Sequence, residues 1–127
     1  MAAFLALACV PFEARAQAEG QTQVKVDIVQ IWENFIASSV AADACGGVEK
    51  TTRDNFLANL TTVTLRATQA LQARNPSVPP ADVASRMENA SGQIRDKVQA
   101  EIKQNGCAST KIQPLLQMYK MHADMKF

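Results

Sequence analysis

The chain is poor in the residues that catalysis and cofactor binding draw on. It has one histidine, one tryptophan, one tyrosine and three cysteines in 127 residues. A lone histidine, His122, cannot complete a paired-histidine metal helix. A nucleophile–base–orienter set has no evident members either, because the aspartates and glutamates are scattered over hydrophilic stretches. There is no glycine-rich phosphate loop, no C-x-x-C and no C-x-x-C-H. Haem ligation would need His122 with a methionine on a facing helix, and away from the two ends of the chain only Met87 is on offer. Neither charge sign dominates: thirteen basic residues face twelve acidic ones. No basic run forms, so neither nucleic acid nor an anionic membrane is expected as a partner. No apolar run approaches the ~20 residues of a bilayer span. Repeats and low-complexity tracts are absent.

What is present begins with an unusual start. Ala2 to Val10 read AAFLALACV, and Ala14-Arg15-Ala16-Gln17-Ala18 follow. An apolar core with a small-residue exit has the form of a secretory signal. Residues 1–18 are therefore expected to be a signal peptide cut after Ala16 or Ala18, with 19–127 as the mature helical domain. No basic residue precedes the apolar core, which points to a start upstream of Met1. Ala6-Leu7-Ala8-Cys9 departs from a lipoprotein site in the position of its larger residue. Removal of the signal removes Cys9. Cys45 and Cys107 remain, and two cysteines in an oxidising compartment imply one bridge.

Four segments carry helical periodicity. The first spans about Val24 to Ala44, with Ile28, Ile31 and Phe35 at helical spacing and Val29, Trp32, Ile36 and Val40 widening the stripe. It stops at Cys45-Gly46-Gly47, where glycine supplies a left-handed cap. The second opens at Thr51-Thr52 and shows Phe56, Leu60, Val63, Ala67 and Leu71. Its threonines are poor helix formers, so it must lean on packing. The stiff connector Asn75-Pro76-Ser77-Val78-Pro79-Pro80 follows, and Pro80 suits a first helical turn. The third helix carries Val83, Met87, Ala90, Ile94, Val98 and Ile102, and ends at Asn105-Gly106. Ser109 is the expected cap of a fourth helix to about Lys126, with Ile112, Leu115, Leu116 and Tyr119 on its apolar face.

Helices joined by short turns favour antiparallel neighbours. The expected fold is all-α, an up-down-up-down four-helix bundle. Cys45 follows the first helix and Cys107 the third, so both turns lie at the same end and the thiols can meet. A loop of that length restricts the unfolded chain by about 4 kcal/mol in the entropy model.

One constellation could carry chemistry. Met118, Met121, His122 and Met125 fall at i, i+3, i+4 and i+7, on one side of the fourth helix and beside its apolar face. Thioethers and an imidazole suit Cu(I) or a similar soft ion. Flexible methionines also seal core edges and form adaptable contact surfaces, and core-edge packing is the expected use here. No metal or cofactor is assigned. Asn59-Leu60-Thr61 and Asn89-Ala90-Ser91 match the glycosylation pattern, but both fall inside expected helices. Trp32 and Tyr119 read as core or core-edge residues.

The functional expectation is an exported, periplasmic or secreted helical protein. It acts without catalysis, by binding an unknown protein or peptide, as an accessory or stress-related factor. In size, compartment and cysteine count it is similar to small single-disulfide helical chaperones of the bacterial periplasm, an analogy that no motif carries. The alternatives are a soft-metal binder using the last helix and an enzyme without a recognisable motif.

Overall fold

The computed structural model describes residues 27–127, which form four helices and no strands. The signal segment with Cys9, and the expected helical turn at Val24, lie outside the described residues. Helix α1 is Ile28–Cys45, α2 is Lys50–Arg74, α3 is Pro80–Asn105 and α4 is Gln113–Asp124.

The helix ends follow local chemistry. Asp27, in an extended conformation, caps α1, its carboxylate accepting from Val29 N–H at 3.0 Å. Gly46 and Gly106 end α1 and α3 at φ 69° and 76°, a region that disfavours side chains bearing Cβ. Their N–H groups donate to Ala42 and Ile102 carbonyls. Helix α2 opens two to three residues earlier than Thr51-Thr52 would allow as caps: Glu49 is the N-cap, and Lys50 pairs with Asp54 one turn on. Thr61, Thr62 and Thr68 direct their hydroxyls to carbonyls four residues back, satisfying themselves within the helix. Ser109 does not cap α4, which starts only at Gln113. Pro114 explains the delay. It has no N–H and clashes with the carbonyl four residues before it, so it is tolerated only in a first turn. Ser109 instead donates to Glu101 Oε1 at 2.6 Å and accepts from Lys111 N–H.

The bundle runs up-down-up-down. Arg74 at the end of α2 pairs with Asp27 at the start of α1, at 2.8 Å, which fixes those two helices as antiparallel. Cys45 and Cys107 are bonded across 62 sequence positions, with Cα atoms 5.8 Å apart, so the turns after α1 and α3 share one end. Helix α1 is central. It packs against all three others, and only its Gln30, Asp43 and Ala44 are exposed. Helix α4 lies against α1 and α2, and α3 lies mainly against α1. The backbones of α3 and α4 do not meet, although they follow one another in the chain. The disulfide holds the α3–α4 link at the end of α1.

Two apolar clusters fill the interior. The larger joins Trp32, Phe35, Phe56, Val63, Met87 and Tyr119 with small alanines between them. The smaller joins Ala41, Val98 and Ile112 at the disulfide end. Helix α4 has 12 residues and α2 has 25. At 1.5 Å per residue α4 covers about half the length of α2. Beyond its end the bundle is three helices only, and over their whole length α2 and α3 make the least contact of the packed pairs.

Candidate functional site

The Met/His constellation of α4 is divided by the fold. Met121 is 61% exposed, whereas His122 is buried at 8%. Met118 and Met125 are half-buried, and Met125 packs against the larger cluster. The four side chains share a side of the helix, but they do not converge on one point. Met118 and Met125 are two turns apart, about 10 Å of rise, and the ring between them faces inward. Among the described residues no three of His, Cys, Asp and Glu gather as ligands.

His122 is a core residue. Its ring stacks on Phe35, with centroids 3.9 Å apart and planes within 3°. Phe35 packs on Phe56, and Phe56 stacks on Tyr119 at 3.8 Å, so one aromatic ladder joins α1, α2 and α4. Nδ1 of His122 lies 3.3 Å from Ser38 Oγ. A serine beside a histidine invites comparison with a nucleophilic pair, but Ser38 is fully buried and its hydroxyl donates to the Phe35 carbonyl at 3.1 Å. The oxygen is therefore closed to substrate and serves as an acceptor for Nδ1–H. Burial pushes the imidazole below the usual histidine range and the Tyr119 phenol above its own.

A second polar contact holds the same turn. The Asn59 side-chain amide on α2 donates to the carbonyls of His122, Met125 and, more distantly, Ala123, at 2.8, 2.9 and 3.3 Å. The last carbonyls of a helix have no partner of their own, and Asn59 supplies one from a neighbouring helix. The glycosylation-like tripeptide at Asn59 is thus a packing element whose nitrogen is already engaged. Past the helix, Phe127 lies under the Arg66 guanidinium, 5.3 Å from the ring centroid.

The open side lies elsewhere. Between α1, the end of α2 and the start of α3, a groove of about 220 Å³ is floored by Val29, Trp32, Leu71, Val83, Met87 and Ala90. Glu33 of α1 and Arg86 of α3 stand at its rim. Neither has a partner of opposite charge within 4.0 Å among the described residues. A shallower hollow shares Trp32 and Met87 and is bounded by Leu60, Thr64, Thr68 and Ser91. The Thr68 hydroxyl, whose proton goes to the Thr64 carbonyl, lies 3.1 Å from the Met87 sulfur between the two hollows. The sequence pattern marks Trp32 and Met87 as core, and so they are, at 4% and 7% exposure. It could not show that the surface beside them stays uncovered, because that depends on where α4 ends and how α3 is tethered.

No family model matches this chain, and neither a curated protein nor a solved structure matches it.

Proposed function

We propose that this is an exported, non-enzymatic binding protein, periplasmic or secreted, that takes an apolar side chain of an extended polypeptide into the Trp32–Met87 groove. The observation that carries the reading is the apolar floor with one unpaired charge of each sign at its rim. A ligand of single net charge gains at one rim residue and loses at the other. A main chain offers N–H groups to the Glu33 carboxylate and carbonyls to the Arg86 guanidinium, while a side chain between them fills the hollow. The disulfide supports an oxidising compartment, and no helix among the described residues is long and apolar enough to cross a membrane. An accessory or stress-related role accords with a small stapled scaffold that binds without chemistry.

Trp32 is the only tryptophan in the chain, so its fluorescence reports the groove directly. Titration with an uncharged, leucine-containing decapeptide should shift its emission with saturation. Ala90→Phe, which fills the groove, should abolish the shift, and Glu33→Gln with Arg86→Gln should weaken it. A shift produced by anilinonaphthalene sulfonate but not by the peptide would replace the peptide with a small apolar ligand. No shift with either would remove the groove as a binding site.

The soft-metal reading finds less support. It would rest on Met118, Met121 and Met125 alone, since His122 is engaged with Phe35 and Ser38.

A further inference from the structure

His122 is the only histidine in the chain, and it sits where a charge is least welcome. Ser38 gives its proton to the Phe35 carbonyl, so the Ser38 oxygen can only accept from the ring. In the neutral ring that arrangement places the proton on Nδ1, and what disfavours a second proton is the burial of the ring. The elements packed around it bring no counter-ion. From α1 come Phe35 and Ser38, and from α2 come Phe56 and Asn59. Nearby charges on those helices, Asp43 and Arg53, act on Tyr119 instead. On α4 itself Tyr119 is neutral and Asp124 is exposed. The only influence resolved on His122 is loss of water.

The same turn is held from both sides by contacts that depend on its position. The ring lies on Phe35, and the carbonyls of His122, Ala123 and Met125 lie on Asn59. The backbone of α3 does not approach it.

We propose that the last turn of α4 is an acid-released latch: when His122 takes up a proton, the turn leaves the Phe35–Phe56 face, Asn59 loses its carbonyls, and the aromatic ladder opens to solvent. The sign follows from linkage. The unfolded histidine binds its proton more readily than the native one, so the latch is fully closed above the ordinary histidine value and weakens as the pH falls through it. The carboxylates whose native contacts hold them ionised, Asp27 and Glu101, titrate well below that window. The device uses different residues of α1 from the peptide groove: Phe35 and Ser38 rather than Val29, Trp32 and Glu33.

The test uses the full chain with its disulfide intact. The Cε1 resonance of the single histidine should titrate below the ordinary value of 6.5. Amide protection of residues 118–125, corrected for intrinsic exchange, should fall about tenfold or more between pH 7.5 and pH 5.5 while that of α1 holds. The melting temperature should drop by about 4 °C or more over the same range, and much less in His122→Phe. Asn59→Ala should loosen residues 118–125 already at pH 7.5. Should His122→Phe fail to fold, the resonance and the exchange decide alone. A histidine that titrates at or above its ordinary value, or protection at 118–125 that does not change with pH, overturns the proposal.

Discussion

The two sides of α1 are built differently. On the side of α4, aromatic rings stack from Phe35 to His122 and through Phe56 to Tyr119, and Asn59 binds the end of the facing helix. On the side of α3, contact at the disulfide end rests on Ala41, Val98 and Ile112, while further along Trp32 and Met87 stand beside open hollows. One side is fastened by shape. The other is fastened by a covalent bond at one end and left under-filled toward the other. The difference shows where each kind of function can sit. A tightly laddered face can sense a change in charge, and the hollow beside it at Asn59 and Met125 is largely polar, whereas an under-filled apolar face has room for a side chain but little to hold it rigid.

The comparison breaks first at the ladder. Phe56 is fully buried and touches both Phe35 and Tyr119. Phe56→Ala should cost about 3–5 kcal/mol in denaturant unfolding. Met87→Ala, beside the hollows, should cost only about 2 kcal/mol, the low end for such truncations, because fewer atoms surround the lost side chain. Equal costs would mean that the α3 side is as well packed as the α4 side.

Replacing both bridge cysteines with serine comes next. Closure of a loop spanning 62 positions restricts the unfolded chain by about 4 kcal/mol in the entropy model. The loss should fall unevenly. Amide exchange in α3 should rise most, since α3 has little contact with α2 and none through its backbone with α4. Helical content should stay nearly unchanged in mild buffer. Uniform loosening of α3 and α4 would contradict the asymmetry.

Much of this architecture could be read from the sequence because it rests on local rules. Phe56, Val63 and Ala67 repeat at helical spacing and are buried, as are Val83, Met87 and Val98. The glycines after α1 and α3 stop those helices, and two cysteines at matching turns pair. The failures are equally physical. Ser109 is displaced as a cap by the demands of Pro114. The burial of Ser38 and His122 was not legible, since each is polar and becomes acceptable only beside the other and Phe35. The groove was invisible for a related reason: an apolar stripe does not disclose whether a neighbouring helix is long enough to cover it.

The smallest expected effect concerns the methionines of α4, and it separates core edge from surface within one stripe. Met125 packs against the larger cluster and its carbonyl accepts from Asn59, whereas the Met121 side chain is 61% exposed. Met125→Ala keeps the backbone contact and loses part of the side-chain packing, so about 1 kcal/mol is expected in urea unfolding. Met121→Ala removes a side chain that already meets water and should change stability by less than about 0.5 kcal/mol. Because thioethers would bind a soft ion together, Cu(I) binding would appear as a rise in melting temperature that either substitution reduces. A stripe that only packs gives a different result: the loss at Met125 persists without copper, and Met121→Ala is silent with or without it. Equal destabilisation by the two substitutions would mean that Met121 is covered in solution by something beyond these four helices, and the outer face of α4 would then have to be counted as an interface.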